Sequence, residues 1–388
     1  MDASAITVTS VGSGPWNTPG TWDNGVPNPG DVVIIAGGDN VTLDVNTGAL
    51  TSLTIDGTLT TTGAYTVDAT TITVNGTYTN GSTGAITVTT MIVNGGATYD
   101  HAVNMANANT IPSATWAPTS NFNVTGVVSN APTGFGQTFG NLTWNSVGQT
   151  INAYLQSNIT IQGDFTVLAT GASFDPNNLA LRMSNNATGY TIGVTGNVSI
   201  NGNSSFKMNN GSGSCTMNVG GDFTLNNGNF TIVTGNANST LSVTGNVNIL
   251  GGNLLMHEDG SATTATLNVT GNFVHTGGTI NETGGGVGSI VFNKNGTQSY
   301  TSGGTVLNTI NHTVNSLSVL QMATAGTAIE GDGSSTLSAG ATLGITSVDG
   351  ITATGSGAVG NIQVTGSRNY STNANYIYNG SSDQDVGD

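Results

Sequence analysis

Three pentapeptides, LTIDG at 53–57, ITVNG at 72–76 and MIVNG at 91–95, recur at a spacing of 19 residues without a slip. A second series follows: ITIQGDF (159–165), VTGNV (194–198), VGGDF (219–223), VTGNV (243–247) and VTGNF (269–273), spaced by 33, 25, 24 and 26 residues at the glycine before Asn or Asp. A fixed period of this length marks a repeat architecture in which each unit is stabilised by its neighbours. A unit this short holds two or three strands and cannot bury an apolar face alone.

Within each unit, short runs alternate apolar and polar, as in Phe223, Leu225 and then Phe230, Ile232, with NNG or GG between them. Period two is the signature of a strand, and Asn-Gly or Gly-Gly supplies the positive φ of a sharp corner. Helical periodicity is almost absent. The predicted fold is therefore all-β: a right-handed parallel β-helix (β-solenoid) with an N-terminal cap, in which matching positions of successive coils form inward columns. A β-sandwich array is the alternative, disfavoured because sandwich domains repeat near 100 residues.

An open solenoid end exposes unpaired backbone and core, which a cap must cover. The stretch GPWNTPGTWDNGVPNPGD (14–31) holds two of the four Trp and four of the eight Pro. Trp16 and Trp22 are read as lids over the first coil, with sugar stacking by exposed indoles as the sharper alternative. The expected organisation is a cap over 1–40, coils of 19-residue period over 41–100, irregular coils or an insertion over 101–140, and coils of roughly 24–26 residues over 141–388. At the C-terminus, YIYNGSSDQ (376–384) restates IVFNKNGTQ (290–298) and LTWNSVGQ (142–149), so the solenoid is expected to continue into further domains of a longer parent protein.

Only 6% of the 388 residues are charged, against about 25% in an average soluble domain. Four Lys and Arg face twenty Asp and Glu, giving a net charge of -16. Lys207, Lys294, Arg182 and Arg368 are the only groups able to meet phosphate, so nucleic acid and anionic membrane are excluded as partners. Cys215 is alone, which rules out an intrachain disulfide and reads as a small buried hydrophobe. No window reaches the roughly 18 apolar residues of a membrane span, and the first residues lack a signal peptide. Abundant Thr, Asn and Gly with scarce Lys favour a mature secreted fragment.

The segments WNTPGTWDNGVPNPGDVVII, APTGFGQTFGNLTWNSVGQT (131–150), the TGNV coils and NYSTNANYIYNGSSDQ together resemble repeat regions of very large secreted surface proteins of Bacteroidota, many of them exported by the type IX secretion pathway. The resemblance covers most of the chain and implies a secreted or cell-surface location, with roles in adhesion, gliding or glycan handling. Its motifs are signatures of fold, not of catalysis.

Candidate chemistry is sparse. His275 aligns with Ile200, Leu225 and Ile249, and Glu282 with Ile232 and Met256, so both are expected to point inward from one coil; a lone buried carboxylate is costly, so either the two pair with each other or the register slips at the Gly-rich corner and both reach solvent, with a catalytic dyad as the sharper alternative. His257, Glu258 and Asp259 in HEDG, with Asp332 in EGDG and the GGDN corner (37–40), are the candidate oxygen or imidazole ligands for calcium, the one cofactor considered. Residues 100–140 break the period; Trp116, Phe122 and Phe135 there are the candidate ligand-binding residues for a polysaccharide or cell-surface glycan.

A polysaccharide-degrading β-helix enzyme would need paired carboxylates about 5–9.5 Å apart. Asp222 instead faces the amides of Asn197 and Asn246 across adjacent coils. Thr58 and Thr60 over Thr77 and Thr79, and Thr51, Thr70 and Thr89, form short ladders that raise ice or crystal binding as a further alternative; by the 19-residue spacing the first ladder ends at Gly96. The sequence supports best a structural or adhesive stalk, non-catalytic, projecting a terminal function.

Overall fold

In the computed structural model, described over residues 5–104, 110–172, 179–202, 204–258, 262–351 and 358–386, the chain is an all-β parallel β-solenoid. It divides into two compact units, Met1–Ala153 with Asn158–Ser173, and Tyr154–Ser157 with Phe174–Asp388. One short 3-10 turn, Pro19–Thr21, is the only helical element among the described residues. None is long and apolar enough to cross a membrane.

In the first unit, the strands Val32–Ile35, Ala49–Ile55, Val67–Val74 and Ile86–Val93 stack in parallel, one per coil. Leu53 lies on Ile72 and Ile72 on Met91, so the 19-residue period of the sequence is the register of the sheet. A second ladder runs through Asn40–Leu43, Thr58–Thr61, Thr77–Asn80, Thr98–His101, Asn121–Val124 and Asn141–Asn145. Leu59, Tyr78, Tyr99, Phe122 and Leu142 form its inward column, all buried. The next coil is two residues longer than the period, so Thr77 is followed by Thr98 and not by Gly96. The Thr58–Thr77 column therefore persists to Thr98 before Asn121 ends it, whereas the Thr60–Thr79 column ends at Asp100.

In the second unit, Thr191–Val194, Thr216–Val219, Ser239–Val243, Thr264–Val269, Val287–Phe292 and Ile310–Val314 form one parallel ladder. The facing ladder stacks Val198 on Phe223, Val247 and Phe273, and Ile200 on Leu225, Ile249 and His275. These inward columns match the alignment of the TGN motifs.

The motif's Asn or Asp has a defined task at the corner. Asn197 Oδ1 accepts the Asp222 N–H (2.9 Å), Asp222 Oδ1 the Asn246 N–H (2.6 Å), Asn246 Oδ1 the Asn272 N–H (2.9 Å) and Asn272 Oδ1 the Ser299 N–H (2.9 Å). Each side-chain oxygen thus satisfies a backbone donor of the following coil that the turn leaves outside the sheet, which an apolar residue there would strand. At the opposite corner Gly252 has φ +71°, and a Cβ there would lie 2.1 Å from the Gly228 carbonyl oxygen one coil below. Both the dihedral and the close approach demand glycine.

The two tryptophans of the opening loop pack against each other. Trp16 and Trp22 are buried and meet edge to face at 4.9 Å, with Trp22 Nε1 donating to the Trp16 carbonyl at 2.7 Å. Carboxylates pin the loop: Asp23 accepts from the Thr9 N–H, Asp31 from the Ile6 and Asn28 N–H groups, and Asp39 from the Ser10 hydroxyl. Both indoles serve as lids, with no face left for a sugar.

Candidate functional site

Polar residues interrupt the inward columns in both units, Thr61, Asn80 and His101 in the first and a larger set between 181 and 312 in the second. His275 replaces the Ile249 of the coil below and is fully buried. Its Nε2 lies 3.4 Å from the Gly278 carbonyl oxygen. Burial pushes its pKa down, and that carbonyl opposes the shift in part. A Cβ on Gly304 would fall 2.0 Å from the same Nε2, so the imidazole occupies space that a glycine on the next coil leaves open.

Glu282 departs from expectation. A register shift between Leu255 and His257 moves the next strand by one position, so Glu282 stacks on His257 and not on Met256. A bulge of this kind re-aims the side chains beyond it. Glu282 Oε1 accepts the Gly284 N–H at 2.9 Å and lies 3.8 Å from His257 Nδ1, while the opposite ring nitrogen, Nε2, is 2.7 Å from the Thr263 hydroxyl. The expected His275–Glu282 pair is thus corrected to a Thr263–His257–Glu282 row. Burial raises the Glu282 pKa; the Gly284 N–H and then His257 counter that shift.

The calcium candidates are used otherwise. His257 is buried in the row just described, and Glu258 Oε2 accepts from Lys207 Nζ at 2.6 Å across 51 residues of sequence. Asp332 Oδ1 accepts from the Thr365 hydroxyl at 2.8 Å. Asp259 lies outside the described residues. No group of three or more His, Cys, Asp or Glu side chains is placed to hold a metal ion among the described residues.

The aromatic candidates are also corrected. Trp116 is 4% exposed, and Phe122 and Phe135 are fully buried. Phe122 stacks on Phe139 at 4.7 Å, Trp116 packs against both, and Phe135 leans on Trp144. Trp116 Nε1 donates to Gln137 Oε1 at 3.1 Å, so even its polar edge is committed inside the protein. A sugar-stacking platform needs an open ring face, and these rings face the first unit's core.

Residues 21–99 match the family model of the G8 domain. The G8 segment is about a fifth of the chain and takes in Trp22, the carboxylate-pinned loop and the regular coils up to Tyr99. Of the ligand and metal candidates above, the GGDN corner (37–40) alone falls inside it. Comparison with curated proteins and with solved structures gives no significant match.

Sequence reasoning missed the pairing of Arg182 with Lys207. These are two of only four basic residues in the chain, and they stand opposite each other on neighbouring strands, Leu181–Arg182 and Ser205–Lys207. The available signal was their 25-residue separation, which equals one coil.

Proposed function

We propose that this G8-containing β-solenoid is a structural or adhesive segment of a secreted or cell-surface protein, a stiff spacer that carries or presents a binding function. The observation that supports it is the parallel register held coil after coil within each unit, with apolar columns inside and Thr, Ser and Asn outside. Stacked coils sealed by corner hydrogen bonds resist bending, because each coil is fixed to its neighbours by a full row of backbone bonds. The resemblance to repeat regions of Bacteroidota surface proteins supports the location. A polysaccharide or cell-surface glycan is the proposed partner class, with the remaining domains of a longer parent protein as neighbours.

The test is incubation of the purified chain, with and without calcium, with neutral and acidic polysaccharides, scoring both retention and new chain ends. Retention without cleavage supports the adhesive reading. New chain ends that vanish on substitution of a specific carboxylate establish a degradative enzyme instead.

A further inference from the structure

Asp56, Asn75 and Asn94 occupy one position in three successive coils, and each is followed by a glycine, Gly57, Gly76 and Gly95. Their side chains form a ladder: Asn94 Nδ2 donates to Asn75 Oδ1 and Asn75 Nδ2 to Asp56 Oδ1, both at 2.6 Å. The backbone beneath the ladder repeats less faithfully. The Gly57 N–H donates to the Ile35 carbonyl at 3.1 Å and the Gly76 N–H to the Ile55 carbonyl at 2.8 Å. Asn94 keeps the matching bond of its own N–H to the Val74 carbonyl (3.0 Å), but the Gly95 N–H has no acceptor among the described residues.

The cause is the two-residue lengthening of this coil. The Ala97 N–H donates back to the Asn94 carbonyl (3.0 Å) and closes a four-residue turn with Gly96 at φ +78°. The closing bond of such a turn joins its first and fourth residues and leaves the N–H of the second outside it. Gly95 is exposed and Asn94 half-exposed, so water has access to both.

A free backbone amide beside an asparagine carboxamide is a reactive pair, and asparagine is among the labile side chains. Once the Gly95 N–H gives up its proton to solvent base, its nitrogen can attack Asn94 Cγ. The bond from Cγ to Nδ2 breaks, Nδ2 takes up a proton and departs as ammonia, and a succinimide remains. Water then opens the ring at either carbonyl and leaves aspartate or isoaspartate. Glycine at 95 permits the approach because no Cβ screens the nitrogen.

We propose that Asn94–Gly95 is a self-modification site, at which water converts the side-chain amide into a carboxylate, while the same dipeptide one coil below, Asn75–Gly76, is protected by its backbone hydrogen bond. The product matters to the ladder. A carboxylate at position 94 cannot donate to Asn75 Oδ1, and it adds negative charge to a column that already ends on Asp56. Conversion therefore loosens the last regular coil of the G8 segment. The site goes beyond the spacer reading and does not depend on it.

The experiment incubates the folded full chain at mildly alkaline and mildly acidic pH in heavy-oxygen water, then maps its peptides by mass spectrometry with fragmentation that separates aspartate from isoaspartate. Position 94 should convert with uptake of solvent oxygen, faster at the alkaline pH, and about tenfold faster than position 75, whose glycine N–H must first leave its carbonyl. Asn80, buried and followed by Gly81 with its N–H on the Thr61 carbonyl (2.8 Å), should stay an amide. In urea the three positions should converge on similar rates. Asn94→Gln should abolish conversion at this position, and Asn94→Asp should lower the thermal midpoint, an unchanged midpoint refuting the effect on the ladder. Equal rates at 94 and 75 in the folded chain, or no conversion at 94 where the urea-unfolded chain converts, overturns the proposal.

Discussion

Glu282 stacks on His257 across one coil boundary, with its carboxylate 3.8 Å from Nδ1 of that ring. The bulge between Leu255 and His257 creates this neighbour relationship and takes Glu282 away from His275. The carboxylate is held largely out of water, which favours its protonated form.

The sign of that effect is testable. The Glu282 pKa is raised from its ordinary 4.5, so its contribution to stability is present below about pH 4.5 and is lost as the pH rises through the higher folded value. Glu282→Gln keeps an acceptor for the Gly284 N–H and removes the buried charge. Thermal midpoints at pH 7 should be higher for Glu282→Gln than for wild type, with the two converging near pH 4. A Gln variant less stable than wild type at pH 7 would show that the attraction to His257 outweighs desolvation.

His312 sits on Ile290 in the inward column, and neither ring nitrogen has a hydrogen-bond partner. Burial lowers its pKa from 6.5 to about 4, with the nearby His275 opposing protonation further and the Ile310 carbonyl favouring it. His101 is lowered to about 4 by burial as well. A depressed imidazole contributes stability that is full above pH 6.5 and lost as the pH falls through 4; a shift of this size is worth on the order of 3 kcal/mol. Denaturant midpoints should fall for wild type between pH 6.5 and 4, and the fall should be visibly shallower in His312→Leu.

Gln298 clamps two coils. Its Oε1 accepts the Lys294 N–H at 3.0 Å, and its Nε2 donates to the carbonyls of Val269 (3.4 Å) and Gly271 (3.1 Å). Gln384 repeats the arrangement with the Gly380 N–H and the carbonyls of Ile345 and Ser347. This explains the recurrence of the phrase at 290–298 and 376–384, whereas Gln149 accepts from Trp144 Nε1 and donates to the Ile151 carbonyl. Gln298→Leu should cost about 1–3 kcal/mol for each buried group it leaves unsatisfied, measured by urea unfolding, and Gln298→Glu should be tolerated poorly because a carboxylate cannot donate.

The corner ladder separates a side-chain oxygen from mere polarity. Asn272 Oδ1 accepts the Ser299 N–H, so Asn272→Asp should be close to neutral, while Asn272→Ala should cost about 1 kcal/mol. Equal stability of the two variants in urea would remove the ladder as the reason for the repeated TGN motif.

Trp116 tests the corrected aromatic site. Trp116→Ala should lower stability by about 3–5 kcal/mol, as for any large buried ring, and Trp116→Phe should retain whatever polysaccharide retention the wild type shows. Loss of retention in a folded Trp116→Phe would return the residue to a binding role.

The glycine-anchored spacing in the sequence determined the β-solenoid, the inward columns and the place of His275 over Ile249, because parallel coils repeat the same backbone geometry and period two sends alternate residues inward. The Trp pair in the opening loop likewise pointed to a lid. What the tertiary structure alone decided lies where the period fails. A one-residue bulge gave Glu282 to His257, a two-residue extension carried the Thr ladder to Thr98, and packing in the irregular stretch turned Trp116, Phe122 and Phe135 into core. The facing of Arg182 and Lys207 stands between the two: their 25-residue separation equals one coil, but only the register of the stacked strands places charge beside charge.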